Sequence, residues 1–121
     1  MPPYVDGFVL PIPKRNVAAY RRMARTAARI WREHGALEYR ECVGEDLKAT
    51  GGPVPFPALV QTKPGETVVF AWIVFRSRAH RDRVNAKVMA DPRMNAMMPG
   101  MPMPFDHTRM AYGGFEVIVS A

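Results

Sequence analysis

Between Glu66 and Phe75 the chain runs Glu-Thr-Val-Val-Phe-Ala-Trp-Ile-Val-Phe, apolar almost throughout and without alternation. A strand with one wet face alternates apolar and polar residues, whereas a continuous run needs cover on both faces. This chain's own helices can cover one face. Too few elements remain to cover the other, so a second copy is expected against it.

The pattern elsewhere predicts five more elements. Tyr4 to Ile12, rich in Val and Phe and closed by Pro11 and Pro13, reads as a strand. A helix is expected from about Asn16 to His34, with Asn16 as cap and Gly35 as stop. Its apolar stripe is Val17, Tyr20, Ala24, Ala27, Ala28 and Trp31. Leu37 to Val43 alternates and forms a second strand; Glu66 to Phe75 is the third. Ser77 caps a second helix that reaches about Ala90 and is halted by Asp91-Pro92. Tyr112 to Val119 is the last strand, where Gly113-Gly114 suggests a bulge or a close backbone contact.

The order strand, helix, strand, strand, helix, strand is that of the ferredoxin-like α+β fold, βαββαβ, with two helices on one face of an antiparallel sheet. The uncovered face would then carry Val, Phe and Trp side chains, a larger apolar patch than soluble monomers usually expose. Pairing two sheets face to face removes it.

Two connections are long. Leu47 to Gly65 contains Gly51-Gly52-Pro53-Val54-Pro55-Phe56-Pro57, too rich in proline for a helix or a central strand. Its Val54, Phe56, Leu59 and Val60 suggest an arm that packs down. The second connection, Pro92 to Arg109, carries Met94, Met97, Met98, Met101 and Met103.

At 121 residues a single domain spanning 1–121 is expected, and 48% hydrophobic with 23% charged residues is ordinary globular composition. The longest apolar run is about half of what a membrane-spanning helix needs, and the N-terminus lacks the basic and apolar regions of a signal peptide. The single cysteine, Cys42, excludes an internal disulfide and fits a cytoplasmic protein, where it reads as a small buried hydrophobe. The net charge of +6 gathers around the two helices, as Lys14, Arg15, Arg21, Arg22, Arg25, Arg29 and Arg32, then Arg76, Arg78, Arg81, Arg83 and Lys87. Solvated helix faces explain this more simply than a nucleic-acid site, since no recognition motif accompanies it. Any RNA binding through these helices would be weak and sequence-independent.

Several segments resemble a known family. They are Val-Asp-Gly-Phe-Val-Leu-Pro-Ile-Pro-Lys at 5–14, Trp-Arg-Glu-His-Gly-Ala-Leu-Glu-Tyr at 31–39, Ser-Arg-Ala-His-Arg-Asp at 77–82, Asp-Pro-Arg-Met at 91–94 and Met-Ala-Tyr-Gly-Gly-Phe-Glu-Val at 110–117. Together they resemble DUF1428 (YbaA-like), a bacterial family of unknown function, nearly end to end. The resemblance implies a dimeric α/β barrel made from two ferredoxin-like subunits with facing sheets. It supplies no reaction and no catalytic residues. Proteins sharing that barrel include cofactor-independent monooxygenases, haem-degrading enzymes, isomerases and ligand-binding modules, among which fold alone does not choose.

Candidate chemistry is sparse. Asp6 and Glu116 lie inside the first and last strands, neighbours in this fold, and a shared apolar pocket would raise one pKa for acid–base work. Tyr39, Glu41, Trp72 and Tyr112 are candidates for lining the same cavity, with Phe70 shaping it. The structural alternative pairs the two acids with Arg40, an edge arginine or backbone donors of the partner subunit. His34, His80 and His107 show no metal-ligand spacing, so no metal site and no cofactor are implied. His34 is explained by the helix dipole; His80, facing the helix–sheet cleft, is a third candidate base, the alternative being an axial haem ligand. The methionines read as packing rather than as copper ligands. The resulting expectation is a homodimer that binds a small organic ligand in the barrel or helix–sheet cleft, the alternative being a cofactor-independent monooxygenase- or isomerase-like enzyme.

Overall fold

Why these residues build a two-layer fold is clearest from the alternation in the first strand. A computed structural model describes residues 1–97 and 103–121. Strand β1 (Tyr4–Pro13) leads through a single 3-10 turn into helix α1 (Val17–Glu33), followed by β2 (Glu38–Val43). A four-residue helix α2 (Phe56–Leu59) precedes β3 (Glu66–Phe75) and α3 (Arg78–Met89). Helix α4 (Pro92–Met97), a 3-10 turn at His107–Arg109 and β4 (Ala111–Glu116) complete the order. The four strands form one antiparallel sheet in the order β2-β3-β1-β4, the ferredoxin-like arrangement. The sheet is open, with β2 and β4 at its edges.

Register decides which residues meet the helices. Asp6 stands opposite Ile73 on β3 and Gly114 on β4, and Tyr39 stands opposite Ile73. Tyr4, Asp6, Phe8, Leu10 and Ile12 therefore share one face with Val69, Ala71, Ile73 and Phe75. Leu10, Ile12, Ile30, Phe75, Val84 and Val88 are sealed between that face and the helices, each burial stabilising the fold by roughly 1.5–3 kcal/mol. The other face presents Val5, Val9, Phe70, Trp72, Val74 and Phe115. From Val68 to Phe75 β3 is apolar on both faces, but in this chain the two are covered unequally: Ile73 is 3% exposed and Phe70 42%.

Several local expectations need correction. Asn16 does not cap α1 through its side chain; its Nδ2 donates instead to the Pro104 carbonyl. Gly35 does end that helix, with φ at +117°, a conformation other residues resist. Ile30, outside the predicted stripe, is fully buried. Ser77 caps α3 by accepting from the His80 amide. One turn of helix does form in the proline-rich connection, with Pro57 in its first turn, where a missing N–H costs nothing. Phe56 packs on Phe70 at 5.8 Å between ring centroids and Val60 is buried, but Val54 and Leu59 stay exposed. The methionine-rich connection opens with α4, started by the Asp91 carboxylate accepting from the Arg93 amide. Met94 and Met97 pack on the core, while Met98 and Met101 lie outside the described residues.

The last strand stops at Glu116, leaving Ile118 and Val119 exposed. Gly113 and Gly114 keep regular register, so there is no bulge. The close contact exists: a Cβ on Gly114 would meet the Tyr4 hydroxyl at 2.5 Å. Cys42 is exposed on the outer face, since it stands opposite Phe70 on an edge strand. No helix among the described residues is long and apolar enough to cross a membrane.

Candidate functional site

Between α1 and the sheet lies a cavity of about 450 Å³, and its cause is visible in the sequence. Ala24 and Ala27 face the sheet from α1 and Ala71 faces the helix from β3, so small side chains meet where large ones would fill the gap. The walls are Phe8, Leu10, Trp31 and Ile73, and the roof is made by Met23, Met94, Met97, Met103, Phe105 and Met110.

One acid enters this apolar space. The parity of β2 turns Glu41 toward the helices, opposite Ala71. Tyr20 on α1 donates its hydroxyl to Glu41 Oε1 at 2.7 Å, and Tyr39 donates to Oε2 at 2.7 Å. Burial pushes the Glu41 carboxyl above its usual range, and the two phenol bonds pull it only part of the way back. The same burial, together with the neighbouring Glu41 charge, drives both phenols far above ordinary tyrosine, so they stay protonated donors. The Tyr39 ring also packs against Trp31 at 5.9 Å.

Asp6 belongs to a second polar cluster. It is 1% exposed, and its Oδ1 accepts from Arg81 Nη1 at 2.6 Å while Oδ2 accepts from Asn85 Nδ2 at 3.2 Å. Arg81 also donates to the Tyr112 hydroxyl and lies over the Tyr4 ring. The paired account of Asp6 holds, but the partner is Arg81 of α3 rather than Arg40, which is exposed on the outer face. Asn85 in turn accepts from Trp31 Nε1 at 3.0 Å, tying α3 to α1 above the sheet.

The other expected residues scatter. Glu116 shares the helix-side face with Asp6 but is exposed at the rim, opposite Tyr4, so the two carboxylates form no enclosed pair. Tyr112 sits at the sheet edge against Phe8, with ring centroids 5.0 Å apart. Phe70 and Trp72 lie on the opposite side of the sheet from the cavity, because β3 alternates about Ala71 and Ile73; Trp72 donates there to Glu38 Oε2 at 2.7 Å. His80 is buried, yet its Nδ1 accepts from the Arg76 amide, which makes it a cap beneath α3. Its pKa is held down by burial and by Arg76, Arg83 and Lys87. His34 does more than meet a helix dipole: its Nε2 lies 2.8 Å from Asp91 Oδ2. Of the residues predicted to line one pocket, Tyr39 and Glu41 alone line this cavity.

Tyr20 is the partner that sequence reasoning passed over, as one member of an apolar stripe. The available signal was the hydroxyl it carries among alanines, opposite an acid on the apolar side of an alternating strand. Among the described residues no group of three or more His, Cys, Asp or Glu side chains could hold a metal ion.

Comparison with known proteins agrees with this architecture. The family model described as "Protein of unknown function (DUF1428)" matches residues 3–107. The chain is 46% identical over 116 residues to the uncharacterized protein YbaA of Escherichia coli K12, covering 96% of this chain and 97% of that one. The Shigella flexneri YbaA protein shows the same identity and coverage. Among solved structures, a dimeric ferredoxin-like protein from an uncultured marine organism superposes with a TM-score of 0.64 at 8% identity, over the full length of both chains.

Proposed function

Because the chain belongs to the DUF1428 family, whose description names no activity, we propose its function from its own geometry: it binds a small organic ligand in the helix–sheet cavity. The observation that carries this is Glu41, an acid directed into an apolar space of about 450 Å³ and met there by two phenols. Ligand sites are commonly of this kind, roughly 300–1,000 Å³ of mostly apolar wall with a few convergent polar groups. Native mass spectrometry of protein purified from a bacterial host tests it. Wild type is expected to carry a small-molecule mass that Ala24→Leu, which fills the cavity, loses. A mass retained equally by both proteins would place the ligand elsewhere.

A second reading is favoured by the same residue. A carboxyl raised by burial is suited to proton transfer, as in a cofactor-independent oxygenase or isomerase. In that reading Glu41 is the base; Asp6 is engaged by Arg81, His80 by the backbone, and Glu116 faces solvent.

The proposed assembly is a homodimer whose outer sheet faces pack together and close a dimeric α/β barrel. Phe70, Trp72 and Phe115 on that face support it, and the structural relative above is described as dimeric. A reducing cytoplasm suits the single unpaired Cys42.

A further inference from the structure

We propose that the cavity is selective for an organic cation, a ligand with an apolar body and a tertiary or quaternary ammonium group seated against Glu41. This deepens the ligand-site reading and rests on it.

The argument begins with how this chain treats its acids. Five carboxylates are withdrawn from solvent to some degree: Asp6, Glu38, Glu41, Glu66 and Asp91. Four of them have an arginine within 4.0 Å, namely Arg81, Arg40, Arg109 and Arg93. Glu41 has none among the described residues. Scarcity does not explain this, for the chain has 17 lysines and arginines. A carboxylate removed from water without a counter-charge is costly, so its charge partner is best sought outside the chain.

Both phenols point their hydroxyls at the carboxylate, one to each oxygen, as suits the ionised form. A neutral carboxyl would ask one phenol to turn from donor to acceptor. The walls add to the selection. Rings from Phe8, Tyr20, Trp31, Tyr39 and Phe105 border the space, and aromatic faces attract cations. Methionine thioethers complete the lining and are soft and polarizable. A primary ammonium has three N–H donors and too few acceptors here, whereas a substituted one has one or none to satisfy. The arginines of α1 are exposed on its outer side and are screened beyond about 8–10 Å at ordinary ionic strength.

Two other titratable elements face the acid's cavity. Tyr20 comes from α1, and His107 lines the same space from its 3-10 turn. The walls from β1, β3 and α4 are apolar. A pH effect is therefore read both with and without the His107 side chain.

The test compares benzyltrimethylammonium with its neutral carbon isostere, neopentylbenzene, read by methyl NMR of methionine-labelled protein. Met23, Met94, Met97, Met103 and Met110 surround the site and report occupancy. At pH 8 and physiological salt the cation is expected to bind about tenfold or more tightly than the isostere. Glu41→Gln should abolish that preference, so that the cation and the isostere bind within about twofold of each other. In wild type and in His107→Gln alike, the preference should fade as pH falls through the Glu41 titration, a measurement that needs no change at Glu41. If the isostere binds as tightly as the cation, or Glu41→Gln keeps the preference, the cation assignment is overturned and the cavity remains a ligand site. If neither probe moves these methyls, both readings fall.

Discussion

Replacing Asp6 by asparagine tests whether that buried carboxylate serves the fold. Asparagine keeps the shape and one acceptor oxygen but removes the charge, and its amide NH₂ must face a donor of Arg81 or Asn85. Exchanging a charge-assisted bond for a neutral one loses about 1 kcal/mol, and one unpaired buried donor adds about 1 kcal/mol more. Removing a partner from a buried ion pair costs about 3–5 kcal/mol. Asp6→Asn should fall short of that, because Arg81 retains the Asp82 carboxylate at 2.7 Å and the Tyr112 hydroxyl. The expected loss is about 2 kcal/mol, or roughly 6–10 °C in Tm for a chain of this size. Asp6→Leu, which removes both acceptor oxygens and sets an apolar side chain against Arg81 and Asn85, should lose about 4 kcal/mol. Urea unfolding followed by far-UV circular dichroism at fixed protomer concentration measures both. A double-mutant cycle with Asn85→Ala should show non-additivity of about 0.5 kcal/mol or more. An Asp6→Asn protein melting level with wild type, or above it, would refute the reasoning and mark Asp6 as a strained functional group.

The assembly is tested by two charges placed on opposite faces of one strand. Phe70→Glu, on the outer face, should give a folded monomer by light scattering and faster thiol labelling of Cys42, whereas Ile73→Glu, on the helix side, should not fold; a stable 13.6 kDa wild-type monomer at micromolar concentration would contradict the dimer. Hydrogen bonds from Arg109 hold the Glu66 carboxyl down to about 2, below the ordinary value of about 4.3, so its stabilisation is complete above the unfolded value and is lost as pH falls toward 2. Glu66→Gln should therefore be less stable at pH 7 and lose less Tm between pH 5 and 2 than wild type does; parallel curves would dismiss the pair. The exposed arginines of α1 should give only weak nucleic-acid binding with a steep salt slope, and a submicromolar, sequence-selective complex at about 0.3 M salt would reveal a recognition surface.

Fold and site were legible to different depths. Strand β3 is legible to the residue because Gly65 and Arg76 flank a run dense in β-branched and aromatic residues, and period-two alternation puts Tyr39 and Glu41 on one side of β2. What alternation does not carry is registry between strands, so the sequence alone does not separate Trp72 and Phe70 from Glu41, although they face away from it. Helix α4 was hidden because methionine suits both helix and loop packing. Arg81 and Asn85 beside Asp6, and Tyr20 beside Glu41, are hidden for a different reason: these contacts bridge helix and sheet, and Arg81 lies 75 residues from Asp6. Charge told us that Asp6 needed a partner but not which arginine the crossing of α3 would deliver.

The two tryptophans of this chain fall on opposite sides of the sheet. Trp31 borders the cavity, tilted against Tyr39, and Trp72 stands beside Phe70 on the outer face. The molecule thus carries two indole fluorophores that look onto separate events. Emission from a Trp72→Phe protein reports occupancy of the interior, and emission from a Trp31→Phe protein reports what meets the exterior. Quenching by acrylamide in each resolves ligand entry from subunit association without any added dye.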